Sequence, residues 1–150
     1  MTRFIRILAS LVFLGALAGR AQDVAEVKIT GNDTMQYDTK AFEVKPGQKV
    51  KLTFTNVGKL PKVAMGHNVT VLKKGSDKQA FAMEAIKFAA NDYIPTTAPF
   101  KDQIIAHTKL LGPGESESIE FTAPAEAGEY PFLCTFPGHF AVMNGIMTVK

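Results

Sequence analysis

One cysteine, Cys134, is followed five positions later by His139 and four after that by Met143. A thiolate, an imidazole and a thioether on one loop are part of the ligand set of a blue-copper site, which needs a second imidazole from elsewhere in the chain. Only two other histidines exist, His67 and His107. His67 lies in Pro61-Lys62-Val63-Ala64-Met65-Gly66-His67-Asn68, where a proline-containing loop runs into a strand. His107, in Ile104-Ile105-Ala106-His107-Thr108-Lys109, reads as a strand or strand-end residue. Spacing allows either to complete the set. The competing reading of Cys134 is a buried, inert thiol, a common fate of free cysteine.

The segment that precedes the domain bears on that choice. Arg3 and Arg6 are followed by an almost wholly apolar run from Ile7 to Ala18 and then by Gly19-Arg20-Ala21. This is the order of regions in a secretory signal peptide cut after Ala21, with a cut after Ala18 also fitting. The run is short of the roughly 20 residues that a spanning helix needs. The reading is therefore a signal peptide over 1–21, a single domain over 22–150, and export to the periplasm with no stable membrane association. An exported domain with one cysteine has no internal disulfide, so its thiol needs a shield or a use; metal coordination provides both.

Removing residues 1–21 takes away every arginine and leaves fourteen lysines against fourteen acidic residues. The basic pI belongs to the precursor. Nucleic-acid binding needs clustered Lys and Arg, which this chain does not have.

The rest of the chain must supply the scaffold. Val27 and Ile29 alternate with Lys28 and Thr30 before Gly31-Asn32-Asp33 breaks the run; Val50, Leu52 and Phe54 alternate with Lys51, Thr53 and Thr55. Phe42/Val44, Val69/Val71, Ile119/Phe121, 128–134 and 145–149 give further short strands between Gly/Pro turns. Period-two alternation with such punctuation predicts an all-β Greek-key sandwich or barrel. One segment differs. Across 78–90, Phe81, Ala85 and Phe88 fall at helical spacing, and Ala82, Ile86 and Ala89 repeat it one position on, so a single amphipathic helix is expected, capped by Ser76 or Asp77.

The ligand loop, Cys134-Thr135-Phe136-Pro137-Gly138-His139 with Met143 after three more residues, resembles the copper loop of the azurins. Met65-Gly66-His67-Asn68 is similar to their first-histidine segment. Gly31-Asn32-Asp33 with Met35-Gln36, Leu60-Pro61-Lys62 and Ile105 to Leu110 agree in the same order. The resemblance spans about Val24 to Lys150. It implies a cupredoxin fold with one type 1 copper ion held by His67, Cys134 and His139, with Met143 as a weak axial ligand and the Gly66 carbonyl facing it. Asn68 and the Phe136 amide would support the cysteine sulfur, and His107 would lie outside the site. Three departures stand out: no disulfide, Val69 where azurins often have tryptophan, and Asn56 where some have a buried histidine.

The function so implied is electron transfer by a monomeric carrier, not catalysis. Redox proteins would dock transiently on apolar ground around His139, for which Met35, Met65, Phe136, Pro137, Gly138, Phe140 and Val142 are candidates. The alternative is a copper storage or delivery protein with the same ligands. Three histidines are too few for a multicopper enzyme.

Overall fold

The computed structural model describes residues 23–150; the signal-peptide reading of 1–21 lies outside the described residues. Two mixed sheets face each other. One runs β2-β1-β4-β7, made of β1 (Ala25–Asn32), β2 (Gln36–Tyr37), β4 (Lys49–Asn56) and β7 (Ser116–Thr122). The other runs β3-β9-β8-β5-β6, from β3 (Ala41–Val44), β5 (Thr70–Leu72), β6 (Ile104–His107), β8 (Gly128–Leu133) and β9 (Asn144–Val149). The pairs β1/β4 and β3/β9 are parallel and the others antiparallel. The expected all-β sandwich is present.

Alternation in the sequence becomes alternation in burial. In β4, Val50, Leu52, Phe54 and Asn56 point inward while Lys51, Thr53 and Thr55 do not. The inner faces meet through Ile29, Leu52, Phe54, Val71, Phe132, Met147 and Val149. Strands β5 and the end of β8 are buried on both faces, because a second apolar cluster of Leu72, Phe81, Ala82 and Leu133 covers their outer side. That cluster is where the helical insertion docks.

The insertion departs from the expected single helix. The α-helical part is short, α2 (Lys78–Ala85), with Asp77 as the cap: its carboxylate accepts from Gln79 and Ala80 amides at 2.8 and 3.1 Å. A 3-10 turn over Ile86–Asn91 follows, with Phe88 out of helical geometry (φ −107°, ψ 36°), and the chain leaves through Asp92 in the left-handed region. Phe81, Ala82 and Ala85 are buried, whereas Ile86 and Ala89 are exposed. Beyond Ala82 the second apolar stripe thus has no surface to cover once the helix bends. A second difference is that β1 continues through Gly31 and Asn32, which pair with Tyr37 and Gln36, before the turn. A one-turn helix, α1 (Lys62–Met65), precedes the His67 segment.

Candidate metal centre

The loops that carry chemistry converge at one end of the sandwich. Cys134 follows the last residue of β8, His139 opens a short 3-10 turn (His139–Ala141), and Met143 directly precedes β9. The turn folds back tightly: Met143 N donates to His139 O at 2.8 Å, and Cys134 N to Met143 O at 3.0 Å. Gly138 stands at φ +82°, a left-handed conformation that glycine adopts without strain. His67 comes from the other side of β5. Its amide donates to Leu111 O at 3.1 Å and its carbonyl accepts from Leu111 N at 2.8 Å, so the backbone on both sides of the ring is fixed. Gly66 has no room for a side chain, since a Cβ there would lie 2.7 Å from Lys62 O and 2.8 Å from Leu110 Cγ.

These elements bring His67, Cys134 and His139 together. Their donor atoms all lie within 4.8 Å of one another, and all three residues are buried. His67 Nδ1 and His139 Nδ1 are 3.2 Å apart, and Cys134 Sγ is 3.9 Å and 3.6 Å from them. A first-row metal bound about 2.0–2.1 Å from each nitrogen and about 2.3 Å from sulfur in a trigonal plane would separate the nitrogens by about 3.5 Å and each from sulfur by about 3.8 Å. The donor set fits such an ion. His107 does not join it: its ring is exposed and its Nδ1 lies 3.1 Å from Thr108 O. Of the two histidines that spacing left open, His67 lies in the cluster and His107 does not. Met143 is fully buried, with its methyl group over Gly31.

Burial dominates the electrostatics. It pushes the Cys134 thiol up to about 12, although the Asn68 and Phe136 amides donate hydrogen bonds to the sulfur and oppose the rise. Burial first, and the neighbouring His67 second, lower His139 to about 4. His67 is lowered by burial too, against the opposing pull of the Asn32 carbonyl and Asp33. That carbonyl acts from nearby, yet no well-aligned hydrogen bond reaches His67 Nε2. Without metal the three donors are therefore uncharged at neutral pH, two neutral imidazoles beside a protonated thiol. A thiophilic cation displaces the thiol proton and resolves that arrangement.

Asn68 links the two ligand segments. Its Oδ1 accepts from Thr135 N at 2.8 Å, and its Nδ2 donates to Thr135 Oγ1 at 2.7 Å and to Asp92 O at 3.2 Å. Phe136 stacks at 4.7 Å on the His139 ring and meets Tyr93 edge-to-face at 5.3 Å. Thr135, Asp92, Tyr93 and Tyr37 were invisible to sequence reasoning. Their partners lie far along the chain and no spacing marks them.

The family of copper-binding proteins described as the plastocyanin/azurin family matches residues 24–150. The chain belongs to this family. It is 42% identical over 124 residues to the azurin of Alcaligenes faecalis, covering 80% of this chain and 94% of that one. It is 40% identical over 128 residues to the azurin of Pseudomonas aeruginosa strain PAO1, covering 83% and 84%. Among solved structures, dithionite-reduced auracyanin from the photosynthetic bacterium Roseiflexus castenholzii superimposes with a TM-score of 0.74 at 41% identity, covering 84% of this chain and 97% of that one. The His-Cys-His cluster of this azurin-family chain is consistent with a type 1 copper site.

Around the centre, the cupredoxin surface is apolar. Val63 on α1 is 89% exposed, Val142 is 44% exposed, and Leu60 and Gly138 are also open to solvent. Met35, Met65, Phe136 and Pro137 are half-buried, and so is Phe140, which packs on the Leu72–Phe81–Leu133 cluster beneath the helix. His139 itself is only 3% exposed. Val63, turned outward on α1, and Leu60, in the loop before it, were not among the sequence candidates for this surface. Among the described residues no helix is long and apolar enough to cross a membrane.

Proposed function

We propose that this azurin-family chain is a one-electron carrier, in which His67 Nδ1, Cys134 Sγ and His139 Nδ1 would hold copper and the Met143 thioether and Gly66 carbonyl would be its weaker ligands. The observation that carries this reading is the closed triangle of two imidazole nitrogens and one sulfur, buried at the edge of the core. Bound copper supplies the Cu(II)/Cu(I) couple. The protein's own part is to keep its donors still while charge changes, and every backbone hydrogen bond around them serves that end. The Leu111 pair holds His67, Phe136 O holds the His139 amide, and Met143 O holds the Cys134 amide. The Asn68 and Phe136 amides withdraw charge from the sulfur and so tune the potential. Asn56 supports the same end of the sandwich: its Nδ2 donates to Leu111 O at 2.9 Å, and it carries no titrating proton.

Redox proteins dock transiently on the apolar ground around His139, through Met35, Met65, Phe136, Pro137, Gly138 and Val142 together with Leu60 and Val63. Phe140 contributes only its exposed edge. Flexible methionines and small apolar areas suit weak, short-lived contacts. The carrier is a monomer, is not an enzyme, and works in the periplasm after loss of residues 1–21.

The absorption and EPR spectra of copper-loaded protein, before and after mild reduction, test the reading. An intense visible band that bleaches and returns is expected, and Cys134→Ser abolishes it. A colourless complex that gives up its copper readily would instead mark a delivery protein.

A further inference from the structure

We propose that Tyr37, which belongs to the opposite sheet, is a positioning residue for the redox centre: by pinning Asn68 it sets how strongly the Asn68 amide draws charge from Cys134. This rests on the copper-carrier reading above.

Tyr37 is one of only two residues in β2, held by pairing with Gly31. Its ring is buried between Phe54 (5.9 Å, edge-on) and Phe132 (5.6 Å), and its hydroxyl crosses the sandwich to donate to the carbonyl oxygen of Asn68. The backbone of Asn68 is thereby fixed on both sides. Ahead of it, His67 O accepts from Leu111 N at 2.8 Å; behind it, Asn68 O accepts from Tyr37, and Val69 N donates to Thr108 Oγ1 at 3.0 Å. Between these anchors lies the Asn68 N–H, whose hydrogen bonding opposes the rise that burial imposes on the Cys134 thiol. A peptide clamped at both flanks has little freedom to rotate, so its amide keeps one direction and one strength of hydrogen bond.

The hydroxyl holds and does not relay. Oxidation of Tyr37 would have to release its proton to an amide carbonyl, which is a very weak base, and no carboxylate or imidazole accepts from it. Burial, with the nearby Cys134 charge, raises the phenol well above its ordinary range, so it stays a neutral donor.

Tyr37→Phe removes one oxygen and keeps the ring packing. With the Asn68 carbonyl freed, the Asn68–Val69 peptide no longer restrains rotation about the Asn68 Cα, so the adjoining His67–Asn68 peptide tilts more easily, its N–H withdraws less charge from the thiolate, and the oxidised metal is favoured. The reduction potential is expected to fall and the visible band to shift. In copper-free protein, hydrogen exchange at the Asn68 and Val69 amides is expected to quicken several-fold. Phe42→Leu is the control: it removes the stacking of Phe42 on Phe132 (5.5 Å) and leaves the hydroxyl in place. It should lower stability without moving the potential or those two amides. The proposal is overturned if Tyr37→Phe leaves both unchanged, or if Phe42→Leu moves them equally. A parent protein with no intense visible band would overturn the carrier reading, and the charge-tuning role with it. Amide exchange in copper-free protein would still report whether Tyr37 clamps Asn68.

Discussion

Cys134, His67 and His139 are neutral in the copper-free protein because burial opposes charge on each of them, and this gives copper binding a defined proton stoichiometry. With the thiol raised to about 12 and His139 lowered to about 4, binding across the neutral range releases one proton, the thiol's. Apparent copper affinity should rise about tenfold per pH unit there and more steeply below about pH 4; competition titrations at several pH values measure the slope. Two glycines give a further contrast. A Cβ at Gly31 would lie 2.5 Å from Met143 Cε and 3.0 Å from Phe54 Cζ. Gly31→Ala should therefore cost about 1–3 kcal/mol through overpacking and alter the spectrum by displacing Met143. Gly138→Ala meets no atom within 4 Å and carries only the strain of φ +82°, about 1–2 kcal/mol. Urea midpoints with matched spectra separate the two. The Cys-His-Met loop was legible because its donors are close in sequence. Asn68 was legible only through the azurin resemblance, and its partners Thr135 and Tyr37 were not legible, since they are brought near only by folding.

At the scale of elements, the helical insertion is a buttress for the ligand loop. Its α-helical part covers β5 and β8 from outside, and its exit turns back so that Asp92 O receives Asn68 Nδ2 and Tyr93 rests on Phe136. Periodicity read it as one helix because side-chain pattern records which residues are apolar and not where the backbone must bend. Both Asp92 and Tyr93 stand at positive φ, 53° and 59°, a left-handed conformation that bulky residues adopt only when the surroundings impose it. Asp77→Ala removes the carboxylate that caps α2 and should destabilise the protein by about 1 kcal/mol. α2 meets the ligand loop through Phe81, whose cluster packs Phe140, and through Lys78 Nζ on Asn144 Oδ1; loss of the cap removes neither contact, so the visible spectrum should stay unchanged. Thermal melts and absorption read out the two effects independently.

For the whole molecule, the same buried groups set a stability window. His139 has a folded pKa near 4, below the ordinary value near 6.5, so the unfolded chain binds more protons between these limits. Stability of the copper-free protein is fully present above about pH 6.5 and is lost as pH falls through the window. Cys134 acts at the other end: its folded value near 12 exceeds the unfolded one, and stability falls as pH rises from about 9. The loss at each end is on the order of 1–3 kcal/mol. Copper at about 1,000 times its dissociation constant should add about 4 kcal/mol. Chemical denaturation of copper-free and loaded protein across pH 4–10 tests both statements. A flat profile for the copper-free form would contradict this account of the site's electrostatics.

The sequence by itself determined the sandwich, the soft ligand loop and the family. Alternation in β1 and β4 follows from a strand's period of two, and Cys134, His139 and Met143 lie within one short loop. Spacing alone could not separate His67 from His107; only the azurin resemblance pointed to His67. His107 pairs directly with Thr70, three residues beyond His67, so both histidines sit on neighbouring backbone and only the direction of each side chain differs. Tertiary structure decided that direction: the Leu111 hydrogen bonds aim His67 inward, while His107 at the end of the edge strand β6 faces solvent. It also decided the bend of the insertion and the reach of Tyr37 across the sandwich. Each depends on contacts between residues far apart in the chain, and hydrophobic periodicity carries no record of which distant residue will be the partner.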